Sequence, residues 1–373
     1  MTVEQYFRPT KAIIDLGAIR QNVQHLQVHL NEGVKIIAVV KANAYGHGDV
    51  AVAQAALEAG ATMLAVATAD EALHMRTHFP HVEILVLGAT PAYFAPYAAN
   101  ERIRLTVFST DWVQQAAPYL EDTTAILNIH VKIDSGMGRI GVRTEEELKA
   151  LEAAIIAQPH MQIEGIFTHF ATADESQEEL FQQQVSIFSQ LKSSLQEKPK
   201  YVHASNTAAA LIKDATLQFD AVRYGISLYG LTPSSYVASI EPFPLHPALS
   251  LETELVHVKQ LQAGDSVGYG ATFVAQEPCW VGTLPIGYAD GMIRKLAGQD
   301  VLIDGQRMPI IGRICMDQCM VLLPKSYAVG EKVQLIGKQG NEHITLDEWA
   351  ARLETINYEI PCIFTSRIPR LYR

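Results

Sequence analysis

An apolar run at residues 36–41, IIAVVK, ends in a lysine and passes at once into ANAYGHGD, a loop rich in glycine, asparagine and histidine. Burying an ammonium at the end of such a run is costly unless its charge or its lone pair is used. Lys41 is open to three readings: a salt bridge, a snorkelled surface lysine, or an amine kept for covalent chemistry. An ion pair is the ordinary outcome for a lone lysine. A desolvated lysine, however, has a lowered pKa and acts as a base or forms an imine with an aldehyde. The flanking Asn43, Tyr45 and Gly46 supply small, polar and aromatic groups suited to lining a planar ligand.

Other chemistry-bearing residues stand at comparable places. Lys132 and Asp134 close an apolar run, His169 closes the next, Asn206 follows a third and Arg223 ends a fourth. SGMGRIG at 135–141 matches the dinucleotide-binding pattern G-x-G-x-x-G. The helix after it is expected to start at Thr144 with a capping box to Glu147. Glu145, Glu146 and Glu147 then put three negative charges where a pyrophosphate would sit. The fingerprint is read as a coincidence that leaves Arg139 as a guanidinium suited to a carboxylate. His74 and His78 have zinc-ligand spacing but no intervening glutamate, and Cys315 and Cys319 have no second pair at finger spacing, so no metal site is expected. VGYGATF at 267–273 carries a glycine-flanked Tyr269, ordinarily a hairpin tip but free to project into a neighbour. GRICMDQ at 312–318 is similarly tight and polar.

The elements that must position these groups follow from periodicity. Strands are expected at 35–41, 62–67, 83–87, 102–107, 125–132, 161–169, 200–204 and 219–223, with helical segments between them. Capping boxes are expected at Thr68/Glu71, Thr144/Glu147 and Ser176/Glu179. This alternation fits a (β/α)8 TIM-like barrel or a doubly wound sheet. The barrel is preferred because the polar residues gather at the carboxyl ends of the strands, its active face. After about residue 240 the helical period gives way to short strands broken by Gly, Pro and Asp turns, with one short helix near 345–352. The expected organisation is a barrel over 10–238 and a mainly-β domain over 239–373, with the N-terminal residues 1–16, including KAIIDL, packing against the latter.

A chain of 373 residues with 48% hydrophobic and 18% charged residues fits two globular domains. The net charge of −11 argues against nucleic acid or an anionic membrane as a partner. No secretory signal or bilayer-spanning run is expected, and the spacing of the four cysteines fits no disulfide framework, which together point to the cytoplasm.

In order along the chain, AVVKANAYGHG, KIDSGMGRIG, GIFTHFATAD, VHASNTAAA, RYGISLYG, VGYGATF, PIGYADG, GRICMDQ and RIPRLYR resemble the bacterial alanine racemases, pyridoxal-phosphate (PLP) enzymes. The resemblance implies a barrel followed by a β domain, in a homodimer whose β domains each close the partner's barrel. It implies Lys41 as the lysine that holds PLP, and Tyr45, Asn206, Thr207, Gly225 and Ile226 around the phosphate. Arg223 would face the pyridine nitrogen. Tyr269 would arrive from the partner as the second catalytic base, with His169 supporting it. Arg139 and the Met316 backbone would hold the substrate carboxylate. Lys132 matches a lysine that is carbamylated in some members and braces the equivalent of Arg139. Two bases suit racemisation, because a proton leaves one face of Cα and returns to the other. A tyrosine of ordinary pKa, about 10, needs a cationic neighbour to act as a base at neutral pH. Some relatives carry a tyrosine at the position of Ser366, which leaves the width of the pocket and its preference for alanine open. The expected activity is interconversion of L- and D-alanine for peptidoglycan. The alternative on the same scaffold is a broader or serine racemase. A non-catalytic PLP-carrier barrel should lack both the β domain and Tyr269. A decarboxylase should be longer, and an oxidoreductase rests on the glycine pattern alone.

Overall fold

The computed structural model describes residues 6–373 and divides the chain into two compact units. One holds Gly17–Ala44 and Asp49–Pro247; the other holds the described residues up to Leu16, with Tyr45–Gly48 and Ala248–Arg373. Residues 1–5, part of the N-terminal segment expected to pack with the β domain, lie outside the described residues.

Strand β1 (Lys11–Ile14) belongs to the second unit, and the next eight build the first. These are β2 (Lys35–Val39), β3 (Met63–Val66), β4 (Glu83–Val86), β5 (Ile103–Val107), β6 (Leu127–Lys132), β7 (Met161–Phe167), β8 (Tyr201–His203) and β9 (Ala221–Tyr224). They pair in parallel in the order β8-β7-β6-β5-β4-β3-β2-β9. Asp220 draws the two outer strands together: its N–H donates to Val202 O at 3.0 Å, and its carboxylate accepts from Val202 N at 2.9 Å. The sheet comes round into the expected (β/α)8 barrel. Its strands are buried on both faces, which is why they read as continuous apolar runs.

Two of the three expected capping boxes form, at Thr68/Glu71 and Thr144/Glu147. The third does not. The helix Glu179–Ser193 is capped by Glu178, without a side-chain cap bond, rather than by Ser176. The Glu178 carboxylate is drawn instead to Lys213 Nζ at 2.7 Å and Gln182 Nε2 at 3.0 Å.

Barrel interiors are ordinarily filled by branched aliphatic side chains. Here Arg104 on β5, His130 on β6, Glu164 on β7, His203 on β8 and Arg223 on β9 are all buried. Space is made for them in the backbone: a Cβ on Gly165 would stand 2.6 Å from Nδ1 of His130, so the strand carries glycine where the imidazole lies.

The second unit is a largely antiparallel sheet. Its strands are β10 (Leu249–Glu254), β11 (His257–Leu261), β14 (Cys279–Leu284), β15 (Asp300–Ile303), β16 (Gln306–Ile311), β17 (Cys319–Leu323), β18 (Lys332–Gln339), β19 (Glu342–Ile344) and β20 (Arg370–Tyr372), joined by β1. A short ribbon, β12 (Ser266–Val267) with β13 (Phe273–Val274), stands apart from it. β1 lies between β10, antiparallel, and β20, parallel. The helix expected near 345–352 runs over Leu346–Leu353.

A buried carboxylate organises the loops of this unit. Asp290 is 0% exposed and takes Arg8 at 2.8 Å, Arg367 at 3.3 Å and the Gly287 N–H at 3.0 Å. Arg367 continues to Asp317 at 2.8 Å, and Ala289 N–H donates to Met316 O at 3.0 Å. One side chain thus ties the N-terminal arm, the turn at 287–291 and the loop that carries Met316. Removing it leaves two guanidinium groups facing each other without their shared anion. Asp290→Ala should lower unfolding stability by about 2–3 kcal/mol in urea titrations, with Asp290→Asn intermediate; equal midpoints for all three proteins would contradict the arrangement.

Candidate active site

Lys41 stands just beyond the carboxyl end of β2, half-buried, and the chain turns sharply after it. Ala42, Asn43, Ala44 and Tyr45 all have positive φ, between 50° and 53°, a left-handed turn built from non-glycine residues. Such a conformation costs on the order of 1–2 kcal/mol per residue and persists only where the surroundings impose it. Here Glu71 Oε1 accepts from Ala42 N at 2.7 Å, and Asn43 Oδ1 accepts from Asp49 N at 3.1 Å. Glycine follows because nothing larger fits: at Gly46, φ is +81° and a Cβ would stand 2.0 Å from the Pro361 carbonyl oxygen. The glycine-rich loop at 42–48 is the backbone solution that aims Lys41.

Arg223 is buried without a carboxylate. Nη1 donates to His203 Nδ1 at 2.8 Å and to His203 O at 3.0 Å. Nη2 donates to Thr168 O and Ala204 O, each at 2.7 Å, and lies 3.4 Å from His169 Nδ1. Burial, and then the charge of Arg139, pull its pKa down to about 9, so the cation survives at neutral pH. Four of its five N–H donors are engaged by short contacts. The Nε–H is the one left to meet an acceptor.

Beside it the barrel starts two short helical turns, Thr207–Ile212 and Ile226–Tyr229, whose first backbone N–H groups have no partners within those turns. Asn206 Oδ1 takes the Ala209 N–H at 3.1 Å, and Thr207 Oγ1 takes the Gly225 N–H at 2.9 Å, which joins the two starts. Uncommitted N–H groups at Thr207, Ala208 and Ile226 suit an anion. The groups present therefore fit PLP: an amine at Lys41 for its aldehyde, N–H donors for its phosphate, and an N–H at Arg223 for its ring nitrogen.

Lys132 and His169 lie in the same cationic field. Burial, followed by Arg223 and Arg139, pushes the Lys132 amine well below its usual range. Its Nζ is buried without a hydrogen-bond partner, 4.5 Å over the ring of Phe167. Burial likewise depresses His169, with Arg223, Lys132, Arg139 and Lys41 adding to the effect, so its ring is neutral. Arg139 is exposed at the tip of the SGMGRIG loop, which Asp134 Oδ1 folds by accepting from Gly136 N at 3.2 Å and Gly138 N at 2.9 Å. The helix after that loop starts at Glu145 with its capping box occupied.

In the second unit Tyr269 is 72% exposed and Met316 53% exposed. Tyr45 packs its ring against Tyr358, centroids 6.2 Å apart, and burial, then Cys362, push its phenol up, keeping it protonated. The aromatic neighbour of Tyr45 is thus Tyr358, while Ser366 is exposed. Sequence reasoning passed over Tyr358 and the pair beneath Arg223, His203 and His130. Two-residue periodicity along β6 and β8 was the available signal for the histidines, since it sets His130 on the same side of its strand as Lys132. His74 and His78 are exposed with rings 4.9 Å apart, and no group of three or more His, Cys, Asp or Glu is placed to hold a metal among the described residues. No helix there is long and apolar enough to cross a membrane.

Three histidines, the buried 130 and 203 and the half-buried 169, have depressed pKa values, with desolvation the first cause in each. Below about pH 6.5 the unfolded chain protonates them while the folded chain does not, so stability falls as the pH falls, by up to about 1.4 kcal/mol per pH unit for each. The melting temperature should drop between pH 7 and pH 5; a flat profile would mean that these rings protonate in place.

The family model for the alanine racemase N-terminal domain matches residues 14–233, and that for the C-terminal domain matches 248–372. A curated alanine racemase from Geobacillus stearothermophilus is 50% identical over 371 residues, 99% of this chain and 95% of its own. Its counterpart from Listeria monocytogenes serotype 1/2a (strain 10403S) is 51% identical, with 99% of both chains covered. The solved alanine racemase of Bacillus anthracis with bound L-Ala-P superposes with a TM-score of 0.96 at 44% identity, covering 99% of this chain and 96% of that one. A histidine racemase from Leuconostoc mesenteroides superposes at 0.92 with 33% identity over 99% of each chain. Matched by the family's own models through both of its halves, and about half identical to curated members along almost its whole length, this chain belongs to the alanine racemase family.

Proposed function

We propose that this chain interconverts L- and D-alanine by a two-base mechanism with PLP, in the cytoplasm, supplying D-alanine for peptidoglycan. The observation that carries the reading is Arg223, a buried cation with no anion and one N–H unspent, at the mouth of a barrel that also holds Lys41. Lys41 would hold the cofactor through Nζ, with Tyr45, Asn206, Thr207, Gly225 and Ile226 around its phosphate. When bound, PLP delocalises the electron pair left on the alanine α-carbon. Arg223 would donate to the ring nitrogen, where a carboxylate would instead accept a proton from it.

The protein's own groups then divide the work. Arg139 and the backbone N–H of Met316 hold the alanine carboxylate. Lys41 Nζ and Tyr269 Oη take and return the α-proton on opposite faces. Arg223 Nη2 lies 3.4 Å from His169 Nδ1, and the proposed role of His169 needs its lone pair there and its proton on Nε2. That Nε2–H is the group that steadies the phenolate of Tyr269. The exposure of Tyr269 in its own chain is what a residue that completes the partner's site requires, and the working form is a homodimer with shared sites.

A second reading, broader specificity, draws on the histidine racemase of the same fold. One experiment addresses both. Chiral chromatography should find rapid D-alanine and slow D-serine from the PLP-loaded protein. Lys41→Ala and Tyr269→Phe chains should each be nearly inactive, and mixing them should restore part of the activity. Comparable rates on serine would favour the broader racemase; no recovery on mixing would remove the shared site.

Lys132 is proposed to carry a carbamate that braces Arg139. Its unpartnered amine, whose pKa burial and the neighbouring arginines lower, adds CO2 in its unprotonated form, forming the N–C bond and releasing one proton, and the new carboxylate answers the surrounding guanidinium charges. Protein equilibrated with 13C-bicarbonate should give a carbamate 13C resonance that Lys132→Ala abolishes; a spectrum showing bicarbonate alone would remove the assignment.

A further inference from the structure

Behind Arg223 a line of buried polar groups runs through the barrel from strand to strand. His203 lies 2.8 Å from Arg223 Nη1 through Nδ1, and its Nε2 lies 2.9 Å from Nδ1 of His130. His130 Nε2 then faces Glu164 Oε2 at 3.6 Å, longer than a hydrogen bond but close enough for charge to orient the ring. Glu164 is held by Arg104, whose Nε donates at 2.8 Å. His203 is stacked on Phe167, centroids 4.6 Å apart and planes 13° apart, so its ring cannot turn away.

The direction of every proton in this line follows from its first member. A guanidinium has donors only, so Nδ1 of His203 must accept. Its proton therefore sits on Nε2, and Nδ1 of His130 must accept in turn. His130 is then neutral with its proton on Nε2, aimed at the carboxylate. Were His130 to carry two protons, its Nδ1–H would face the Nε2–H of His203, and the line would break. Burial acts in the same sense, keeping both rings neutral.

We infer that His203 and His130 are positioning residues, a tautomer-locked pair that fixes the rotation of Arg223 so that its remaining Nε–H points at the ring nitrogen of the cofactor. The inference rests on the reading that Arg223 faces that nitrogen. It assigns to two residues outside the reacting shell a role in setting how the cofactor is held, rather than only in filling the barrel. Gly165, open to the His130 ring, and the stacked Phe167 belong to the same device.

Neutron diffraction from crystals of the PLP-loaded protein, exchanged into heavy water near neutral pH, tests the protonation pattern without any variant. Deuterium is expected on Nε2 of both rings and on neither Nδ1; deuterium on either Nδ1 overturns the proposal. The positioning role is tested by cofactor affinity, with PLP compared against its 1-deaza analogue, which has carbon in place of the ring nitrogen. His203→Ala should weaken PLP by about tenfold or more, the worth of one charge-assisted hydrogen bond, and leave the analogue within about threefold. His203→Asn, whose Oδ1 can stand in for Nδ1, should recover most of the loss. Equal weakening of both cofactors would reduce His203 to a structural filler. Arg223→Ala must show the same discrimination. If it does not, the reading of Arg223 itself falls, whatever the neutron map shows.

Discussion

The barrel is organised around a buried cation that has no anion. Arg223 is kept charged by carbonyl oxygens from His203, Thr168 and Ala204 and by the lone pair of His203. Carbonyls stabilise a guanidinium without neutralising it, so its positive field is available to whatever sits nearby. A carboxylate in their place would have cancelled that field and offered an acceptor where a donor is needed. The effect extends to neighbouring groups: His169, His203 and Lys132 are all depressed, with burial first and Arg223 next among the causes. One side chain thereby helps to set the protonation of three others.

Holding such a cation inside a barrel has structural consequences. The strands beside it give up aliphatic filling for Arg104, His130, Glu164 and His203, and β7 gives up a side chain at Gly165. The carboxylate of Glu164 is pushed upward by burial, yet His130 and Arg104 together draw it well below its usual range. Buried polar groups are tolerated where each finds a partner. The polar string meets that condition except at His130 Nε2, which has only the more distant Glu164 carboxylate, and Lys132 Nζ beside it is a second departure.

The second unit is braced by the opposite sign. Asp290 gathers two arginines and a backbone N–H, and through Arg367 and Ala289 it reaches the loop of Asp317 and Met316. The turn after Lys41 is braced by a carboxylate as well, since Glu71 both caps its own helix and takes the Ala42 N–H. Strain at positive φ and a charged clamp occur together there, as expected where a backbone must deliver a side chain against its local preference.

Much of this architecture was legible in the amino-acid order. Burial on both faces made the barrel strands visible as apolar runs, and Thr68 and Thr144 announced their helices three residues ahead of a glutamate, because these are local effects of side chains on their own backbone. Ser176 was the exception: the helix starts later, capped by Glu178, whose carboxylate meets Lys213 from far along the chain. The glycine pattern at 135–141 leads into a helix whose start is occupied by its own capping box and three glutamates. Lys41, His169 and Arg223 could be singled out because polar residues at the ends of apolar runs are rare. What those residues touch was not legible. The aromatic group beside Tyr45 proved to be Tyr358, far along the chain, and the histidines behind Arg223 gave no signal strong enough to separate them from core residues. Sequence determined which groups are present and which strand end each belongs to, because periodicity and capping act over a few residues. Only the tertiary structure decided which donor meets which acceptor, because closing the barrel brings β6, β7, β8 and β9 together, and the direction of each hydrogen bond is fixed by a partner tens of residues away.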